Sequence, residues 1–363
     1  MKRRSTFITL LSLLLTLVMT SCGSTVTEAT PTTEVSVEVV TATTVAPVAT
    51  STMKATEPVQ PIVEEIRFRS GNFTIVGDLR FPADDGPYPA IIMVHGDGPA
   101  TRHGAVNFNP TIEVFQRNGY AVFSWDKPGS GASTGKFAEE YTLTNRAAIL
   151  ADGINVLVEH PNIDSSRIGL WGISQAGWVM PLALELTEDV AFMIVLSGGG
   201  EDSIEQMVYR FGQMVLSAGG TAEHAALVEQ SLSQVLKATS YAEYHEGMEI
   251  LLEIPHIDAR TGIDWDLAEE DEWVPWPRDI DAFLDPMDII EHTTIPVLVL
   301  FGEFDRDVDP VQGAEAYEAA LQKAGNQDYQ IEVLSATGHV FVTLPKYLET
   351  LEAWLQHLSQ QKN

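Results

Sequence analysis

Short apolar runs alternating with helical patterns constrain this chain more than any other feature. Segments 90–94, 120–124, 168–171, 191–196 and 297–301 have the length and apolar character of buried strands, and Tyr329–Leu334 follows with an alternating pattern. Helical periodicity separates most of them. Leu150, Ile154, Leu157 and Val158 share one face of a helix, as do Leu348, Leu351, Trp354, Leu355 and Leu358. Strands alternating with helices imply an α/β fold, a mostly parallel central sheet with helices on both faces, whose functional residues gather at the carboxyl ends of the strands. Ahead of this, 66–69 and 73–79 alternate around Ser70-Gly71-Asn72, which predicts a β-hairpin. With 363 residues, 45% of them hydrophobic, the chain can bury a core without disulfide or metal staples.

The 51 acidic side chains outnumber 21 basic ones, for a formal charge of −30. Such a surface repels a phosphate backbone, so nucleic acid is excluded as a partner. The N-terminus has its own logic. Lys2, Arg3 and Arg4 precede an apolar run over 7–19, which is shorter than the roughly 20 apolar residues a bilayer span requires. Small residues then lead into Cys22, the single cysteine, as in a cleaved export signal over 1–21. The sequence Met19-Thr20-Ser21-Cys22-Gly23 resembles the lipobox of bacterial lipoproteins, with Met19 where leucine is usual. That resemblance implies that Cys22 carries a lipid, and that the protein meets a membrane on its extracytoplasmic side through this anchor only; an ordinary secretory signal is the alternative. Residues 22–61, rich in Thr, Val, Ala and Pro, read as an extended tether to a folded domain over 62–363.

Within that domain, residues from about 200 to 292 break the alternation. This stretch is helix-prone and acidic, and reads as a helical cap inserted over the carboxyl edge of the sheet. Its Trp265, Trp273 and Trp276 suit either an apolar wall over a ligand or the insertion's own core. The acidic run Glu269-Glu270-Asp271-Glu272 suits either a solvated face or a site for a substrate amine.

The strongest local signal is Gly172-x-Ser174-x-Ala176-Gly177, with an apolar strand before it and a helix pattern after it. Small residues two positions either side of a serine permit the tight strand-to-helix turn that lifts its Oγ above the sheet, and the helix N-terminus offers N–H groups to a developing oxyanion. From about residue 62 to its end, the chain resembles the α/β-hydrolase superfamily in its serine-esterase and serine-peptidase-like branches. The resemblance implies an α/β-hydrolase fold and a triad in the chain order Ser, acid, His. Ser174 is then the nucleophile. Phe301-Gly302-Glu303-Phe304-Asp305 follows a strand as the family's acid motif does, placing the acid at Asp305, with Glu303, Asp307 and Asp309 as competing carboxylates. Ala336-Thr337-Gly338-His339 places the base at His339. After Val94-His95-Gly96, the backbone N–H of Asp97 pairs with that of Gln175 as the implied oxyanion hole. The Asp97 carboxylate is a departure that needs neutralising, with Arg102 the candidate, and His95 is read as a brace for the loop. The loop Asp126-Lys127-Pro128-Gly129-Ser130-Gly131-Ala132-Ser133 matches a structural motif of the family.

The implied chemistry is acyl transfer from a small-molecule ester to water, with no cofactor and no metal. A nucleotide reading fails because the glycine loop lacks Walker spacing, and a calcium reading fails because Pro310 stands where an EF-hand needs glycine. Esterase is the favoured reading. An aminopeptidase-like peptidase, a thioesterase or an inactive binding lipoprotein of the same fold remain as alternatives.

Overall fold

The computed structural model describes residues 62–83, 86–104, 107–137, 142–276 and 283–360, so the expected export signal, Cys22 and the whole tether lie outside the described residues. Eight strands run in chain order as β1 (Ile62–Ser70), β2 (Phe73–Phe81), β3 (Tyr88–Val94), β4 (Ala121–Trp125), β5 (Ile163–Ile173), β6 (Phe192–Leu196), β7 (Val297–Gly302) and β8 (Tyr329–Leu334). They form one sheet in the order β1-β2-β4-β3-β5-β6-β7-β8. The β1–β2 hairpin pairs antiparallel with Ser70 opposite Phe73, β2 pairs antiparallel with β4, and every later pairing is parallel. One strand is longer than its apolar run: β5 starts at Ile163, because its register with β3 jumps between Tyr88 and Ala90. The irregular stretch Asp164-Ser165-Ser166-Arg167 is polar and lies at the partly exposed start of the strand, which hides it from an apolar-run criterion.

Side chains of successive strand residues leave the sheet on opposite faces, and each face has its own core. On one, Ile92, Val94, Met193, Val195, Val299 and Phe301 meet helices α2 (Leu143–Val158) and α3 (Ala176–Leu184), together with Tyr317 and Leu321 of a later helix. On the other, Ile91, Met93, Ile194, Leu196, Leu298 and Leu300 meet α1 (Asn109–Arg117) and the final helix. The central strands β4, β6 and β7 are buried along their whole length, as a sheet covered on both faces requires.

Between β6 and β7 the chain leaves the sheet for α4 (Ser203–Ser217), α5 (Ala222–Lys237), α6 (Tyr241–Glu253), α7 (Ile257–Thr261) and α8 (Met287–Ile290); α9 (Pro310–Lys323) and α10 (Pro345–Gln360) follow β7 and β8. Helices α4 to α7 bury a third apolar cluster that includes Phe211, Val215, Leu232, Met248 and Trp265, with Trp273 and Trp276 packed against it. The Trp265 indole donates to Thr261 Oγ1 at 2.9 Å, and Trp273 stacks on Tyr244. These tryptophans therefore serve the insertion's own core, and the alternative of an aromatic wall over a ligand is not what their packing provides. Among the described residues no helix is long and apolar enough to cross a membrane.

A single phenol ties β5 to both helices of the second face. Tyr347, fully buried on α10, accepts from the Trp171 indole at 2.9 Å and lies 3.1 Å from Thr111 Oγ1 of α1. Tyr347→Phe keeps the ring and strands a buried indole N–H. The expected loss is about 1–3 kcal/mol, read as a lower urea midpoint at unchanged slope.

Candidate active site

The elbow begins where β5 ends. Ser174 has φ +59°, a conformation that non-glycine residues rarely adopt. Its N–H still pairs with Leu196 O at 2.8 Å, continuing the β5–β6 ladder, while its own carbonyl already accepts from Gly177 N at 2.8 Å as α3 starts. One residue thus belongs to both strand and helix. Glycines make room for this. A Cβ on Gly177 would stand 2.2 Å from the carbonyl carbon of Gly198, and one on Gly172 only 2.5 Å from Ala176 Cβ. Gly198, just past β6, is equally constrained: a Cβ there would lie 2.0 Å from Ser174 O.

The acid and base meet where the loops after β7 and β8 interlock. Phe304 N donates to Thr337 O at 2.8 Å, and a Cβ on Gly302 would stand 2.2 Å from Gly338 O. His339 Nδ1 lies 2.9 Å and 3.1 Å from the two oxygens of Asp305, whose Oδ1 also accepts from the N–H groups of Asp307 and Val308 at 2.9 and 3.1 Å. Flanked by two carboxylate oxygens, Nδ1 must carry the proton, which leaves Nε2 as the basic nitrogen. The competing carboxylates have other duties. Glu303 accepts from Ala336 N, Asp307 pairs with Arg210 at 3.1 Å, and Asp309 caps α9 through the N–H groups of Val311 and Gln312. Burial draws the His339 pKa down, but the adjacent Asp305 carboxylate, with help from Asp307, outweighs it and raises it above the usual 6.5. Asp305, Asp307 and His339 hold potential ligand atoms within 4.8 Å of one another, and the same geometry forms the Asp305–His339 hydrogen-bonded pair.

The structure joins Asp305 to His339 directly. Ser174 stands at the same carboxyl edge, two strands along from β7, with no hydrogen bond to His339 among the described residues.

Of the residues expected at an oxyanion hole, Gln175 follows the serine in sequence, and Gly96, which precedes Asp97, packs against it. A Cβ on Gly96 would lie 3.1 Å from Ser174 Cβ and 3.7 Å from its Oγ. His95 is buried, its Nε2 2.9 Å from Trp125 O and its ring stacked on Phe108, and burial pushes its pKa down to about 3. It is a neutral brace for the loop.

One sequence expectation is overturned here: Arg102 does not neutralise Asp97. It bonds Asp126, Asp78 and Glu65 instead. Both Asp97 oxygens are buried without a side-chain partner, and burial raises this carboxyl against the pull of the Gly98 N–H and of Lys127, Arg146 and Arg210. Lys127 Nζ reaches Gly96 O at 2.5 Å and Gly98 O at 2.6 Å, while Arg146 bonds His95 O and the Gln175 side chain. Neither cation figures among the sequence-derived site residues. Arg146 nevertheless had a signal, because it occupies the i+3 position between Leu143, Ala147 and Leu150 on the apolar stripe of α2.

The insertion touches this centre through α4. Tyr209 donates to Asp305 O at 2.9 Å and Gln206 to Asp307 O at 2.5 Å, beside the Arg210–Asp307 pair. By contrast, Glu269, Glu270, Asp271 and Glu272 are exposed, as a solvated face would be.

Comparison with known proteins agrees with this architecture. The model of the X-Pro dipeptidyl-peptidase (S15) family matches residues 71–340. The chain belongs to that family. Its fold resembles the Pyrococcus furiosus esterase Pf2001, with a TM-score of 0.54 at 14% identity over 82% of this chain and 91% of that one. It also resembles Pyrococcus horikoshii acylaminoacyl peptidase, with a TM-score of 0.54 at 16% identity over 84% of this chain and 42% of that one. In sequence, 89 residues are 34% identical to the thiohydrolase aneE of Aspergillus aculeatus, a match spanning 24% of this chain and only 27% of that relative. The fold is that of the α/β-hydrolases.

If Asp305 and Asp307 hold the imidazolium as described, His339 titrates above 6.5, and Asp307→Asn moves its midpoint to lower pH by removing one of the charges that favour the proton. Nitrogen-15 NMR of the histidine ring measures both; an upward or absent shift in the variant would contradict this account.

Proposed function

We propose that the protein hydrolyses carboxylic esters through a Ser174–His339–Asp305 triad and an acyl-enzyme intermediate. The observation that carries this reading is the Asp305–His339 pair, with Nε2 left free as base, at the same sheet edge as a serine in a strained elbow. In this mechanism His339 Nε2 takes the Ser174 proton as Oγ attacks the carbonyl carbon. The tetrahedral oxyanion accepts from the N–H groups of Asp97 and Gln175. The alcohol departs with the proton that His339 returns, and a water deprotonated by His339 then cleaves the acyl-enzyme. Asp305 holds the imidazole in its tautomer and balances the imidazolium. The chain's own groups supply every proton transfer.

Peptide hydrolysis is the second reading, and the family match favours it, since that family is described by removal of X-Pro dipeptides. The run at 269–272 is exposed, so it is not a buried site for a substrate amine. The N-terminal sequence supports a location as well: export, lipidation at Cys22 and attachment to a bacterial membrane with the domain outside the cytoplasm.

Two experiments test these proposals. The first is turnover of p-nitrophenyl esters from acetate to dodecanoate and of Xaa-Pro p-nitroanilides, by the parent protein and by Ser174→Ala. Ester turnover with a chain-length preference, lost by more than about 10³-fold in the variant, is expected. Anilide turnover alone would select the peptidase reading, and inactivity on both would leave a binding protein of the same fold. The second is cell fractionation: the parent is expected with membranes and Cys22→Ser in the soluble fraction, whereas an unchanged distribution would remove the lipid anchor.

A further inference from the structure

Lys127 is a buried ammonium, 4% exposed, with an apolar neighbour in the Phe137 ring. Burying it costs far more than burying a methionine of similar length, so its contacts must account for its presence. Those contacts are backbone carbonyls of the loop beside the nucleophile, Gly96 O at 2.5 Å and Gly98 O at 2.6 Å. Its own backbone is tied to β2 through Asp126 N donating to Val76 O at 2.8 Å, and Lys127 N also meets the same loop at Ala100 O, 2.9 Å away. The side chain therefore pulls the loop toward a fixed point behind it.

The consequence follows from peptide geometry. In a trans peptide, the C=O of one residue and the N–H of the next lie in one plane and point in opposite directions. Fixing Gly96 O on Lys127 thus aims the Asp97 N–H away from Lys127. Gly96 packs against Ser174, with its Cβ position 3.7 Å from the serine Oγ. An N–H in this place is the donor acyl transfer requires. The same ammonium also opposes the buried Asp97 carboxylate, whose charge would otherwise disfavour an oxyanion nearby.

We propose that Lys127 is a positioning residue for acyl transfer: clamped on the carbonyls of Gly96 and Gly98, it orients the Asp97 N–H toward the oxyanion and offsets the Asp97 carboxylate. Arg146 secures the preceding peptide through His95 O and the neighbouring donor residue through the Gln175 side chain. The inference rests on the serine-hydrolase mechanism proposed above.

The test compares the parent with Lys127→Met, Lys127→Gln and Ser174→Ala. Readouts are kcat and KM on the best ester, far-ultraviolet circular dichroism, and the second-order rate at which a fluorophosphonate labels Ser174. Labelling needs oxyanion stabilisation but not the natural substrate. In Lys127→Met, kcat and the labelling rate are expected to fall together by about 10²-fold or more, with KM within about threefold and an unchanged spectrum. Lys127→Gln, which can still donate to a carbonyl but lacks the charge, should recover part of the loss. A folded Met variant with unchanged kcat and labelling overturns the proposal. So does a common loss in which KM rises and kcat holds. Should Met fail to fold, the Gln variant decides by the same split; collapse of both assigns Lys127 to the fold and also overturns it. Turnover surviving in Ser174→Ala would instead defeat the underlying mechanism, whatever Lys127 does.

Discussion

The contact between the Ser174 carbonyl and Gly198 is the constraint on which the catalytic edge depends. Because β5 and β6 are parallel neighbours, the chain leaving β6 passes directly beneath the turn that begins α3, and backbone meets backbone there with no room for a Cβ. This proximity lets Ser174 N continue the strand ladder while its carbonyl starts the helix. The positive φ at Ser174 is then held by hydrogen bonds on both sides, a local strain maintained by the rigid sheet. The loops after β7 and β8 use the same device, with Gly302 against Gly338 bringing Asp305 to His339. Close backbone approach at two successive strand ends thus gathers residues far apart in sequence.

Electrostatics inside the domain differ from those of its surface. A chain with formal charge −30 spends two of its scarce cations, Lys127 and Arg146, in the interior, next to the loop that carries Asp97. Burial lowers the pKa of both, Lys127 well below its ordinary range and Arg146 to about 10, so each is held at an energetic cost. Their partners are mostly backbone carbonyls, which cannot lose charge by protonation. The Asp97 carboxylate beside them acts in the other direction and raises the proton affinity of both cations. Arg102 has the opposite character: with Asp126, Asp78 and Glu65 it fastens the glycine loop to the β1–β2 hairpin.

The fold was legible because burial on two sheet faces demands uninterrupted apolar strands, and those runs are local in sequence. The placement of Ser174 and Asp305 was legible for a related reason, since each sits just after an apolar run, whereas His339 follows the alternating strand β8 by five residues and was placed by its motif. Arg102 was misjudged and Lys127 passed over because a charged side chain several residues long can reach in several directions, and composition around it does not say which. Lys127 looked like part of a glycine turn, although its ammonium serves the loop after a different strand. Gly198 was missed because its constraint comes from a neighbour more than twenty residues away. The tryptophans of the insertion were ambiguous for want of a helix arrangement, which alone shows that they face inward to their own cluster.

That inward packing changes what the insertion contributes. Most of the insertion's large apolar residues are used in its own core, and it joins the sheet through Met287 and Ile290, which enter the first sheet core, and through polar contacts made by α4. Three of them fall on one short segment: Tyr209 on Asp305 O, and Gln206 and Arg210 on Asp307. The segment that α4 grips is the one that holds His339, and Arg210 lies close enough to lower the His339 proton affinity while Asp307 raises it. Arg210 of the insertion and Asp307 beside His339 thus form one salt bridge next to the Asp305–His339 pair. Loosening α4 would leave the sheet intact, since the two cores beneath it are complete without it, but would change the charge that the base experiences. In this architecture the sheet supplies geometry, while the insertion places a charge beside the Asp305–His339 pair.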